Sequence, residues 1–204
     1  AETNADFSVL MTNALKNLIK KYAMEVPATV VMGAKGSGKT FLYKEMLKKR
    51  YWESFSDGIQ TTIPSSEICK TLIIPLLASK NSGDISVVLN SAIEEANRTV
   101  PILNLKVAQW QDNERKINQY MKEEHESFEW EEFWKKLFLV GMENVNSLDE
   151  LEDMLNKENK RIVFLIDGLE EIFGNTLINQ NEKNAIVGLA RDAINVLRAK
   201  YRNI

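Results

Sequence analysis

The chain has 204 residues, 44% hydrophobic and 27% charged, with a net charge of −3 and a sequence pI near 5.4. It is long enough to bury a core as one large domain, or one domain with a sizeable insertion. Its acidic balance supplies no electrostatic footprint for nucleic acid or an anionic membrane, although a local basic patch stays open.

A lone cysteine, Cys69, excludes an internal disulfide, suits a reducing compartment and is expected to pack as a small apolar residue. His125 is the only histidine and sits in a Lys-Glu-Glu-His-Glu-Ser run that reads as a solvated face, which argues against a metal centre built on it. The longest apolar run, Leu72 to Ala78, is too short to span a bilayer and contains Pro75. No positively charged leader with an apolar core precedes the first helix, so a cytoplasmic location without a membrane span is expected.

In chain order, residues 1 to 6 are polar, with Asn4 or Asp6 able to cap a helix whose apolar face is Phe7, Leu10, Met11, Ala14, Leu15, Leu18, Ile19 and Tyr22. After Pro27 an apolar, β-branched strand, Ala28 to Met32, leads through a glycine-rich loop into a helix ending in Lys48, Lys49 and Arg50. Those cations complement the helix dipole. Trp52 to Pro64 reads as a loop around Asp57-Gly58. A second strand is expected over Thr71 to Leu77, which Pro75 would push to a sheet edge or end early. Ser82 to Asp84 forms a turn and cap before a helix with Ile85, Val88, Leu89, Ala92, Ile93 and Ala96 inward, followed by a loop around Pro101.

Val107, Trp110, Glu114, Ile117 and Met121 mark a narrow stripe on a polar helix continuing through Glu126, which is expected to stand off the core. Trp130, Phe133, Trp134, Leu137 and Phe138 form a strongly apolar face that reads as core rather than a base-stacking platform. Ser147 and Glu150 form a capping box for a helix with Leu148, Leu151, Met154 and Leu155 inward, stopping near Asn159. The last helix carries Ile186, Leu189, Ala190, Ala193, Ile194 and Leu197 on one side. Arg191 and Arg198 lie opposite that stripe and take no catalytic role.

Two stretches carry chemistry. In the first, Gly33, Gly38, Lys39 and Thr40 fill the fixed positions of GxxxxGKT between a strand and a helix. Gly33, Gly36 and Gly38 permit backbone angles closed to other residues, so successive amides can turn inward as an anion nest at the positive end of the helix. The phosphate-binding set is therefore Gly33, Ala34, Lys35, Gly36, Ser37, Gly38, Lys39, Thr40 and Phe41, with Lys39 as the mobile charge on the outer phosphates. The Thr40 hydroxyl is the expected magnesium ligand.

In the second, Ile162 to Ile166 is the continuous apolar run of a strand buried on both faces of a parallel sheet. Asp167 then emerges at the carboxyl edge, where open α/β folds place their ligands, and is the expected partner of the magnesium shell.

The string Asp167-Gly168-Leu169-Glu170-Glu171 is similar to the Asp-Gly-Leu-Asp-Glu signature of signal-transduction P-loop ATPases, the STAND and NACHT-like relatives of AAA+ proteins. The resemblance covers the two motifs and their order, not residues 52 to 160. It implies that Glu170, and after it Glu171, orients or deprotonates the attacking water. In that class a further strand with a polar sensor residue follows the last helix. The resemblance therefore implies a fragment of a longer protein, whose other domains and self-association would complete the site. Ala34 stands where partition-type ATPases have a lysine. The Asn-Lys-x-Asp pattern of GTPases is absent, and the leading helix and sparse arginines depart from adenylate-type kinases.

The expectation is thus one domain over residues 1 to 204: a three-layer α/β P-loop fold with a mostly parallel sheet and a helical insertion over roughly 80 to 160. Its expected function is magnesium-dependent ATP binding and hydrolysis, used as a conformational switch or assembly module. A small-molecule phosphotransferase, or a nucleotide-gated interaction module with little hydrolysis, are the alternatives.

Overall fold

Two apolar runs, Thr71–Leu77 (β1) and Arg161–Ile166 (β2), pair in parallel and form a two-stranded sheet. The computed structural model describes residues 17, 28–31, 36–55, 71–77, 85–106, 112–173 and 179–204. Register runs from Thr71 opposite Arg161 to Pro75 opposite Leu165, then a bulge brings Leu77 opposite Ile166.

Pro75 sits at the sheet edge for a visible reason. The Ile73 amide points away from β2 to the Arg50 carbonyl at 2.9 Å, and Trp52 donates to the Thr71 carbonyl at 2.9 Å. Pro75 shares the parity of Ile73, so its missing N–H falls on the outer side and costs no bond to β2. On the other side of β2, the Ile162 amide donates to the Asn203 carbonyl at 2.8 Å.

Helices cover both faces. Ile73 and Val163 meet Tyr43, Met46, Leu47 and Trp52 together with Leu89 and Ala92. These come from α1 (Lys39–Lys49), the segment after it, and α2 (Ile85–Thr99). Leu72, Ile74, Leu76 and Ile162 meet the larger core, which includes Ile117, Trp130, Trp134, Phe138, Leu151 and Leu155. Its helices are α3 (Asn113–Tyr120), α4 (Ser127–Leu139) and α5 (Leu148–Lys157), with α6 (Leu169–Ile172) after β2. The chain closes with α7 (Gln180–Val187), which passes through a π-helical stretch, Gly188–Ala193, into α8 (Ile194–Lys200). The alternation of strand side chains, period two, divides the two cores.

The π-helical stretch packs closely on α4. A Cβ on Gly188 would lie 2.6 Å from the Trp130 Cβ and 2.8 Å from the Ser127 carbonyl, so only glycine lets this helix approach α4 so closely.

Local signals were legible where they were strong. Ser147 accepts from the Glu150 amide at 3.1 Å and starts α5, and Asn159 ends it with φ of 50°. The aromatic stripe on α4 is core: Trp130, Trp134 and Phe138 are all but fully buried.

Several expectations are corrected. Residues 28–31 form no strand, and Val30 and Val31 are 65% and 50% exposed; among the described residues no strand flanks them. Only Ile162 and Val163 of β2 are buried, so the run is not covered on both faces throughout. α3 does not stand off the core: Asn113 and Ile117 are fully buried against it, and the helix ends at Tyr120 rather than reaching Glu126. His125 is no solvated residue. Its ring stacks on Tyr120 at 3.8 Å, with Phe133 stacked on Tyr120 at 4.4 Å. The N-terminal helix, the Trp52 to Pro64 loop beyond Phe55, Cys69, Val107 and Trp110 lie outside the described residues, save that Asn17 is helical and exposed.

Candidate functional site

The carboxyl end of β2 and the amino end of α1 meet. Gly36 and Gly38 have φ of 83° and 88°, and a Cβ at either would meet nothing within 4 Å. Glycine is needed there for backbone angle, not for space. Gly38 opens α1 without a side-chain cap, leaving the first-turn amides of Lys39 and Thr40 to other acceptors. Gly33, Ala34 and Lys35 lie outside the described residues, Ser37 is exposed in a bend, and Phe41 is 43% exposed.

Asp167 follows the last residue of β2 and is 8% exposed. The Thr40 hydroxyl lies close enough to its carboxylate to favour the charged form, joining the two motifs. Burial pushes the Asp167 carboxyl above its ordinary range. The Thr40 hydroxyl and the Gly168 amide oppose that shift by donating to the charged form, whereas the charges of Glu170 and Glu171 add to it. Its Oδ2 is buried and has no hydrogen-bond partner among the described protein atoms.

Gly168 turns the chain with φ of 88°, so that α6 starts immediately and presents Glu170 and Glu171 in its first turn. Lys39 Nζ lies 3.5 Å from Glu170 Oε1, with side chains 19% and 50% exposed. Glu171 is exposed. Of the residues singled out from sequence, the structure brings together Lys39, Thr40, Asp167 and Glu170. The Asp167 carboxylate together with the Thr40 hydroxyl is a hard oxygen set, which fits magnesium with its retained water shell. Among the described residues no group of three or more His, Cys, Asp or Glu side chains could hold a metal.

Two residues at the site escaped the sequence reading. Tyr43, one helical turn beyond Thr40, is buried with an unpartnered hydroxyl, and both burial and the Asp167 charge push its ionisation far upward. Asn113 donates to the Leu76 carbonyl near the end of β1 at 2.7 Å, while its Oδ1 has no partner among the described protein atoms. Tyr43 had a legible signal in the Thr40/Tyr43 spacing of three. Asn113 had none, because its site depends on how α3 docks.

Among the described residues no helix is long and apolar enough to cross a membrane. A scan against protein-family models finds no match, nor do searches of curated proteins and of solved structures. The described chain is a mixed α/β protein, mostly helical, with a small parallel sheet that brings two distant motifs to one edge.

Proposed function

We propose that this chain is a magnesium-dependent nucleoside-triphosphate hydrolase, with ATP as substrate, used as a conformational switch or assembly module. The observation that carries the reading is the Thr40 hydroxyl on the Asp167 carboxylate, beside the Lys39–Glu170 ion pair. A serine or threonine after the loop lysine, joined to a strand-end aspartate, is how phosphate-loop enzymes hold their metal. Helices on both faces of a parallel sheet support the three-layer P-loop fold, and the Asp-Gly-Leu-Glu-Glu string supports placement near the STAND and AAA+ proteins.

In this reading Thr40 and Asp167 hold magnesium, which when bound supplies charge neutralisation for the phosphates. Lys39 and the loop amides around Gly36 and Gly38 bind and orient the phosphate chain. Glu170, released from Lys39 when phosphate oxygens take that cation, holds and deprotonates water; Glu171 is the second candidate. ADP and ATP are the small-molecule partners, and other domains of a longer chain or a second copy would read the change.

The test is calorimetric nucleotide binding together with phosphate release in the full-length protein. Lys39→Ala abolishes binding, whereas Glu170→Gln retains it and lowers turnover about a hundredfold or more. Full turnover in Glu170→Gln moves the base to Glu171 or elsewhere. Absence of ATP binding by the wild-type protein overturns the reading.

A further inference from the structure

We propose that Tyr43 is a positioning residue for Asp167, holding its carboxylate through one enclosed water at Oδ2 so that the carboxylate keeps its orientation toward the metal shell. The metal role rests on the nucleotide reading above; the contact itself does not.

Three observations converge. First, Thr40 and Tyr43 are three residues apart on α1 and so share a face, and the Thr40 hydroxyl already touches Asp167. Second, Val163, Leu165 and Asp167 alternate onto one side of the β2 line. Tyr43 packs in the cluster holding Val163, against which Leu165 is packed. The tyrosine ring therefore lies along the file of side chains that ends in Asp167. Third, the Tyr43 hydroxyl and Asp167 Oδ2 are two of the three buried side-chain polar atoms left unpartnered among the described residues.

Two orphans on the same face of the sheet, one on the helix that covers the strand line ending in the other, have a single economical resolution. A buried hydroxyl and a buried carboxylate oxygen are each costly to leave without a hydrogen bond. They do not bond directly, but one water satisfies both, donating to the carboxylate while accepting from the phenol, as enclosed waters do between buried polar groups. The phenol stays protonated there and so keeps its proton to donate. Tyr43 touches no phosphate and is not a catalytic residue; it acts through Asp167.

The experiment is a double-mutant cycle on urea unfolding with Tyr43→Phe, Asp167→Asn and the pair. Manganese binding to the ADP complex is followed by electron paramagnetic resonance. Tyr43→Phe keeps the ring, so the fold is retained. The proposal expects the unfolding constants to be non-additive by about fivefold or more. It also expects manganese affinity in the ADP complex of Tyr43→Phe to fall several-fold while metal-free ADP affinity is unchanged. Additivity within about twofold overturns the contact. Unchanged manganese affinity overturns the positioning role. A wild-type protein that binds no ADP overturns the nucleotide reading and the metal role with it, while coupling in the cycle still reports the contact between Tyr43 and Asp167.

Discussion

Around α4, buried polar groups are paired, whereas at the carboxyl end of the sheet they are not. The Trp130 indole donates to Asn181 Oδ1 at 2.9 Å and the Trp134 indole to the Ala185 carbonyl at 2.9 Å. Asn181 in turn donates to the Met121 and Glu123 carbonyls, tying the turn after α3 to α7. At the sheet edge, Tyr43, Asn113 and Asp167 each keep an unpartnered atom among the described residues, and three carboxylates, Asp167, Glu170 and Glu171, crowd one turn. The first region is arranged for stability. The second holds groups at a cost that folding alone does not explain, and such local inconsistency is what a binding site looks like.

Substitutions sharpen the contrast. Trp134→Ala, in the paired region, should cost about 4 kcal/mol by urea denaturation, since it removes a fully buried indole and its hydrogen bond to the Ala185 carbonyl. Gly188→Ala should cost about 2 kcal/mol, because the added Cβ meets Trp130 and backbone atoms that cannot yield. A neutral effect would mean that α4 and the π-helical stretch are looser than described.

Glu95 tests pairing by pH. Burial alone would raise its carboxyl, but bonds from Arg98 and Tyr51 and the charges of Arg98 and Arg50 outweigh burial and hold it below the ordinary range. A lowered folded value means the contribution is complete above the unfolded value and is lost as pH falls through the folded one. Glu95→Gln should therefore cost about 1 kcal/mol at neutral pH and flatten the acid limb of stability below about pH 4.5.

Asp167→Asn should do the reverse, raising stability at neutral pH. Its folded value is raised, so the penalty is full above that value and vanishes below the unfolded one; the gain should fade as pH falls through the folded value and be gone below about 4. Thermal melts across pH check it, and a loss at neutral pH would remove the contrast between the two regions.

How much was legible can be argued from particular residues. Ser147 and Asn159 bracket α5 through local capping chemistry, which needs no tertiary partner, and the Trp130 to Phe138 stripe declares its face by spacing alone. The strand expected at Ala28 to Met32 failed over its described residues because an apolar run becomes a strand only beside a partner edge. α3 was misjudged because two deeply buried residues, Asn113 and Ile117, anchor it without a broad apolar face.

The sequence by itself determined the candidate chemistry: Gly36 and Gly38 for backbone angles, Lys39 and Thr40 at the head of a helix, and Asp167 at the end of an apolar run. Each follows from residue type and spacing over a few positions. Only the tertiary structure decided that Thr40 reaches Asp167, that Lys39 rests on Glu170, and that the Tyr43 hydroxyl is buried without a partner. Those contacts join segments brought together by a parallel strand pairing and its long helical crossover, and such pairing leaves no local mark in the residues it joins.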